Sequence, residues 1–490
     1  MPVTTKHKQY LASSERWIRC RDIIGGSDVV KKKGVEYLPS LDKQTSTMYE
    51  AYKSRATFYN ASGRTVQGLM GAVFRKDPVW EYPFDEHVKA ITPARHNLTE
   101  FSRNVMKEVI TVGRNGVLVD VHKDHDIRAY AAAYTAENIT NWEVSNIDGQ
   151  LKYTMVVLRE TFEEKKLDDI FEKKAGTQYR VLRLTPIKET WQYHQEVWRK
   201  KENADIKEAW YIHETITPTK GGIPLDFIPF IIINVHDLTS AVDRPPLLDL
   251  VDVNLSHYRT SADLEHGAHF TALPTPWLAG FSTSGSFTIG SGVAWVTEDT
   301  NAKAGMLEYT GQGLGALRDL KGDKEQLMSV LGARMLEQQK KAVEAADTLR
   351  IRMSGESGAL NVVTGTVSDG IKTILEWVAW WSNATDGQIN KIEFELNKDF
   401  VDAEISPQIM QQLLASLQSN KISLDTFLYN LKEGELLPPD RTIEQEKDLL
   451  DNEPDDLDYP NNVEGNIQPI RKKLAINRDD NGKAVSVEEV

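Results

Sequence analysis

The stretch RPPLLDLVDVNLSHYRTSADLEHGAHF, residues 244–270, decides the architecture. Pro245 and Pro246 open it, because proline is tolerated in a first helical turn. Leu248, Val251, Leu255, Tyr258, Ala262, Glu265 and His269 then recur at steps of three and four. The spacing predicts one helix of about 24 residues, about 36 Å long. Pro274 and Pro276 stop it. The segment from Leu278 to Gly313 is rich in Gly, Ser and Thr around Trp295 and Tyr309, the texture of a small sheet or extended projection. A second helix follows, with Leu317, Leu320, Leu327, Leu331 and Met335 on one stripe and Gly322 and Gly332 as weak points. Two long helices bracketing a compact β segment read as an antiparallel stalk with a tip, and the apolar stripes of such a stalk need lateral partners.

Beyond the stalk lie the cations Lys340, Lys341, Arg350 and Arg352. A third helix runs from about Ser357 to Trp381 with Leu360, Val363, Val367, Ile371, Ile374 and Val378 on its inner face, and its Gly365 and Gly370 permit a bend. A short strand is expected at Ile392 to Leu396. Ser406-Pro407 forms a helix start with Ser as N-cap and Pro at the first helical position, and Ser423 caps a second short helix that Gly434 and Pro438-Pro439 end. From Arg441 to Pro460 eight acidic residues face two basic ones, so the tail to Val490 reads as mobile.

On the N-terminal side, Tyr49, Tyr52, Ala56, Tyr59, Gly63, Val66, Met70 and Val73 read as one sustained helix face stopped at Asp77-Pro78. Asn97 to Val112 reads as a helix with Leu98, Phe101, Val105, Met106, Val109 and Ile110 inward, turning through Gly113 to Gly116 into a buried strand at Val117 to Val119. Between about Thr135 and Val235 the pattern changes to alternating strands spaced by charged turns. Trp191, Trp198 and Trp210 fall in those strands as half-buried packing residues. The apolar run Phe227 to Val235 reads as a buried strand.

The 490 residues are 40% hydrophobic, enough for a large core and several domains. A net charge of -14 argues against a duplex binder that works by whole-molecule charge, though local lysines can still touch DNA. The single cysteine, Cys20, cannot form an internal disulfide, which favours a reducing compartment. The first 21 residues lack the apolar core of a secretory signal, and no apolar run approaches the 18 or so residues of a membrane span, so no membrane is expected.

Motifs for chemistry are sparse. Gly311-Gln312-Gly313-Leu314-Gly315 lacks the Lys-Ser/Thr of a phosphate loop, and Gly280 to Gly285 is one residue too long for a nucleophile elbow. Asp120, His122, Asp124, His125 and Asp126 form the densest set of metal-type ligands, but residues alternating along a strand diverge. His266 and His269, one helical turn apart beside Glu265, lack an evident third ligand. No catalytic constellation, metal site or cofactor site is therefore assigned, and the chain reads as a non-enzyme.

Three local motifs, in order, resemble the portal proteins of tailed bacteriophages. They are Tyr52-Lys53-Ser54-Arg55-Ala56 running on to Gly68-Leu69-Met70-Gly71-Ala72-Val73-Phe74-Arg75-Lys76-Asp77-Pro78, then Ser354-Gly355-Glu356-Ser357-Gly358-Ala359-Leu360, then Lys421-Ile422-Ser423-Leu424-Asp425-Thr426-Phe427. The resemblance spans roughly Tyr49 to Pro439. It implies a closed homo-oligomeric ring, usually of about twelve subunits, at one capsid vertex of the virion. It also implies assembly in the host cytoplasm, DNA driven in by the terminase large subunit, and DNA exit through a head-tail adaptor. The major capsid protein surrounds such a ring, and a scaffolding protein can direct its assembly.

The implied fold is α+β. Residues 1–244 would give N-terminal helices and a β-rich wing, 245–270 and 315–338 the two stem helices, and 271–314 the clip between them. Residues 339–353 would form the tunnel loop, 354–404 a kinked long helix with a wing strand, 405–440 a helical crown, and 441–490 the acidic tail. Lys340, Lys341, Arg350 and Arg352 would face DNA in the channel. Trp277, Trp295 and Tyr309 would meet clip partners, and Gly365 and Gly370 would hinge the long helix. Two rivals stand beside this reading: another head-tail adaptor ring, and a metal-dependent hydrolase built on Asp120 to Asp126.

Overall fold

The computed structural model describes residues 2–121, 129–165, 171–188, 190–201, 210–272, 275–281, 287–288, 294–307, 311–333, 346–400, 407–419, 421–433, 436–438, 441–452, 474–478 and 484–489. The chain divides into two units, Met1–Phe400 and Val401–Val490.

The first unit begins with α1 (Lys8–Gly25), α2 (Ser27–Lys32), α3 (Ser46–Arg55) and α4 (Ala61–Val73). The single helix expected from Tyr49 to Val73 is two. The backbone leaves helical geometry at Ala56 (ψ 122°), and the Asn60 side chain accepts from Gly63 N at 2.9 Å to start α4 afresh. Phe58, in the gap between them, is buried edge-on against Tyr258. Periodicity alone does not reveal this break, because the apolar positions continue in phase across it.

β1 (Val79–Glu81) and α5 (Asp85–Lys89) lead to α6 (Leu98–Val112). Asn97 and Glu100 close a reciprocal capping box at the start of α6. All six residues expected inward on α6 are buried, and Gly113 ends the helix in the left-handed region (φ 81°), where Arg244 and Pro245 leave no room for a Cβ. β2 (Arg114–Val121) follows, then β3 (Ala129–Thr135), β4 (Ile139–Ile147), β5 (Gln150–Lys165), β6 (Lys173–Ile187), β7 (Thr190–Lys200) and β8 (Trp210–Ile216). Strands β4 to β8 form an antiparallel five-stranded sheet in sequence order. Trp191, Trp198 and Trp210 are half-buried in it.

After the short pair β9 (Thr219–Lys220) and β10 (Ile223–Pro224), the buried strand β11 (Phe230–Asn234) pairs with β2, which pairs with β3. Then come α7 (Leu248–Ala272), β12 (Thr275–Ala279), β13 (Lys303–Leu307) and α8 (Gly313–Met328), which is the expected helix, hairpin, helix order. A π-helical turn, Ser329–Ala333, ends the second helix.

Helix α9 (Ala346–Trp381) is longer than expected, for residues 346–353, placed above in a loop, are already helical. It packs across the β11-β2-β3 sheet and is helical through both Gly365 and Gly370. Gly370 also serves packing. A Cβ at that position would sit 2.6 Å from Ile233 Cδ1 and 2.7 Å from its Cγ1, whereas nothing lies within 4 Å of a Cβ at Gly365. α10 (Asp386–Ile389) and β14 (Glu393–Glu395) close the unit, β14 pairing with β1.

The second unit holds α11 (Pro407–Gln418), α12 (Leu424–Glu433), α13 (Ile443–Asn452) and a hairpin of β15 (Leu474–Arg478) with β16 (Ala484–Glu489). Ser423 caps α12 as expected, its Oγ accepting from Thr426 N at 3.1 Å. Ser406 and Gly434 lie outside the described residues. Within residues 441–490 the described residues form α13 and this hairpin. Lys447 pairs with Asp425 at 2.5 Å, tying α13 to α12 despite the excess of acids.

The two glycines of α9 predict opposite responses. Gly365→Ala should raise the melting temperature, by up to about 1 kcal/mol of helix propensity. Gly370→Ala should lower stability by about 1–2 kcal/mol through overpacking on Ile233, and Ile233→Ala should relieve part of that loss in a double-mutant cycle read by thermal melts.

Candidate functional site

The stalk is the feature around which the candidate residues gather. α7 is buried on one side by the N-terminal helices, through Leu248, Val251, Leu255, Tyr258 and Ala262. Asn254, fully buried, locks it to the start of α4: its Oδ1 accepts from Ser62 N at 3.0 Å and Ser62 Oγ at 2.9 Å, and its Nδ2 donates to Tyr59 O at 2.7 Å. Arg19 pairs with Asp252 at 3.0 Å, and Arg259 Nε donates to Tyr37 O at 2.8 Å. Two helical turns further out, Tyr52 OH donates to Asp263 Oδ1 and Arg55 contacts His266 Nδ1. His266 is thus a packing partner of α3, and among the described residues no group of three or more His, Cys, Asp or Glu is placed to hold a metal ion.

On its other side α7 meets α8 along a narrow seam. The less exposed residues of α8 are Leu314, Leu317, Lys321, Lys324 and Met328, spaced three, four, three and four. This is a heptad-like contact line with lysines at two of its five positions. Lys324 donates to Ser256 O and Thr260 Oγ1, and Lys321 lies 3.5 Å from Glu325. Glu325 Oε1 sits 3.1 Å from Nε2 of the buried His257, whose Nδ1 has no hydrogen-bond partner among the described residues. Burial pushes the His257 pKa below 6.5, with Lys321 and Lys324 adding to the effect and Glu325 opposing it. The Lys324 ammonium reaches polar atoms of α7, while that of Lys321 stays with Glu325 on α8 itself.

The stripe expected on α8 is therefore split. Leu317 lies in the seam and Leu331 packs on the main core. Leu320 and Leu327 are 45% and 47% exposed on the lateral side, followed by the exposed Val330. Met335 lies outside the described residues. At the base of α8, Gly332 takes φ 116° and its carbonyl accepts from Thr65 Oγ1 at 3.2 Å, so the chain breaks direction there.

The other candidates scatter. Lys340, Lys341 and Tyr309 lie outside the described residues, and Arg350 and Arg352 fall in the first turns of α9. Trp277 is 44% exposed on β12, its indole lying across Gly305 of β13, where a Cβ would come within 2.8 Å of Nε1. Trp295 donates to Thr288 O at 2.9 Å and packs edge-on to Phe287, within the tip. Of the acidic cluster, Asp120 is held by Gln195 Nε2 at 3.0 Å, and burial raises its carboxyl pKa. His122, Asp124, His125 and Asp126 lie outside the described residues.

The polar seam was not legible from the stripe of leucines. Its signal was present in the spacing 314, 317, 321, 324, 328, but a lysine at an inward position competes poorly with a leucine in any hydrophobic reading.

Three comparisons bear on this chain. A family described as a domain of unknown function (DUF4055) matches residues 246–382, which run from the start of the stalk to the end of α9. No curated protein matches. Similar solved chains come from the neck of a native gene transfer agent particle computed with C12 symmetry, and from the virion of a native gene transfer agent particle. They are 11% and 10% identical, each with 82% of this chain and 97% of that chain covered and a TM-score of 0.40. A chain from the neck of an empty gene transfer agent particle computed with C6 symmetry is 9% identical over the same shares, with a TM-score of 0.38. Likeness at this level carries no argument about role.

The buried histidine predicts a pH response. With its folded pKa below 6.5, His257 binds a proton more readily in the unfolded chain, so its contribution is intact above pH 6.5 and is lost as pH falls below it. In denaturant melts between pH 7.5 and 5, His257→Gln should flatten the decline seen in the unsubstituted protein. His7 and His266, also lowered by burial, remain in both proteins and cancel in the comparison.

Proposed function

We propose that this chain is the repeating subunit of a portal ring at a single capsid vertex of a phage-type particle. The observation that carries the reading is the lateral row of Leu320, Leu327 and Val330 on a helix–hairpin–helix stalk. An isolated subunit leaves this row in water, at a cost of roughly 1.5–3 kcal/mol for each large aliphatic side chain that could otherwise be buried. Repeating the stalk around an axis buries the row in every copy. The portal resemblance of the sequence supports the same conclusion.

In this reading α7 and α8 are the stem, and the β12–β13 hairpin with residues to 314 is the clip that meets the terminase large subunit and later the head-tail adaptor. The β-rich middle is the wing beside the major capsid protein, and residues 405–440 are the crown. Any scaffolding protein would act through these outer parts during assembly in the host cytoplasm. Double-stranded DNA passes through the axial channel. An acidic subunit repels phosphates and keeps DNA from adhering, while Lys340, Lys341, Arg350 and Arg352 supply a few weak contacts. No chemical step is assigned to the chain.

Electron microscopy of the purified protein with light-scattering mass should show a ring with an axial opening and about twelve copies of the 55.3 kDa chain. Leu320→Asp with Leu327→Asp should reduce the mass to that of one subunit while leaving the monomer's circular dichroism unchanged; a ring that survives both changes would refute the role given to this row. Lys340→Glu with Lys341→Glu should leave the ring intact and impair DNA packaging or retention, and normal packaging would remove those lysines from the channel.

A further inference from the structure

α7 is covered from two nearly opposite sides. At 100° per residue, the stripe that takes the N-terminal helices (Leu248, Val251, Leu255, Ala262) and the stripe that takes α8 and the turn before it (Ser256, Thr260, Gly267, Thr271) lie roughly 140° apart. The N-terminal helices and α8 therefore lie on opposite flanks of α7.

Each flank exposes apolar side chains at a seven-residue interval. On α8 these are Leu320 and Leu327. On α1 they are Leu11, 60% exposed, and Ile18, 41% exposed, with Val29 and Val35 exposed just beyond. Seven helical residues rise about 10.5 Å, so the two rows match in pitch. Their charges also differ in sign. Asp319 and Asp323 border the α8 row, whereas residues 6–43 hold nine Lys or Arg against five Asp or Glu, with Lys8, Arg16 and Lys32 exposed. The α1 row itself carries Glu15, between Leu11 and Ile18, and Asp22, one turn beyond Ile18 and paired with Lys33 at 2.9 Å.

We propose that the lateral row of α8 in one copy packs against the outer face of α1 and α2 in the next copy. The proposal rests on the ring reading above and names the surfaces that close it. A head-to-tail ring requires two different patches on opposite flanks of the subunit, whereas α8 pairing with α8 would be two-fold and would stop at a dimer. The N-terminal helices then have two tasks: holding α7 with their inner faces and receiving the neighbour with their outer ones.

Cysteine cross-linking tests the pairing, because the natural Cys20 is fully buried and leaves introduced thiols as the reporters. Ile18→Cys and Leu327→Cys are prepared as separate proteins, assembled together and treated with a short bismaleimide. Cross-linked dimers joined at 18 and 327 should form only in the mixture, and the double variant Ile18→Cys/Leu327→Cys should give a ladder up to the full ring. Leu11→Cys with Leu320→Cys serves as a second pair should the first perturb folding. Rings visible by electron microscopy that give neither the 18–327 nor the 11–320 adduct would overturn the pairing and leave the ring reading standing. Leu327→Cys linking to itself would also overturn it, in favour of a two-fold contact. A protein that stays monomeric under every assembly condition would overturn the ring reading and this pairing with it.

Discussion

One helix, Leu248–Ala272, is shared by everything around it. Its apolar stripe completes a core that α1 to α3 cannot close by themselves, and Asn254 fixes its rotation by satisfying both the first turn of α4 and the carbonyl of Tyr59. A buried amide with all these bonds made costs little, but with any of them broken it leaves an unpaired polar group away from water. The stalk's direction is set at this point, because a rotation of α7 would break three hydrogen bonds at once.

The contrast between the two sides of α7 shapes what the stalk can do. Toward the N-terminal helices an apolar stripe is buried, flanked by specific polar pairs at Asp252, Asn254, Arg259 and Asp263. Toward α8 it presents His257, Thr260 and the Ser256 carbonyl, which Lys324 and Glu325 answer. A polar seam of this kind specifies register better than it stabilises, since the charges remain near water and gain little from the contact. The lateral side of α8 leaves Leu320 and Leu327 exposed, while Leu314, Leu317 and Met328 join the two lysines in the seam.

The body of the first unit follows a different logic. α9 lies across β11, β2 and β3, and its closest approach occurs where Gly370 removes the side chain above Ile233. Arg21 bridges Glu108 and Glu137 with four hydrogen bonds of 2.9–3.0 Å, joining α1 to α6 and to the turn before β4. The N-terminal helices are thus fastened to the body at one end and to the stalk at the other.

Local chemistry was legible in the sequence. The N-cap at Ser423, the turn at Gly113, the buried face of α6, the alternating strands of the β-rich segment and the helix–hairpin–helix order all depend on neighbours within a few residues, and the structure agrees with each. Tertiary contact decided the rest. Asn60 split one apolar periodicity into two helices, Ile233 packs where Gly370 leaves no side chain, and the break in the stalk fell at Gly332, where Thr65 holds the carbonyl. Which side of α8 faces α7 was likewise undecided by its sequence, because two stripes of comparable period share that helix. Polar atoms of α7, 64 to 68 positions away in the chain, hold Lys324 and Glu325; hydrophobicity read along one helix carries no record of what stands opposite.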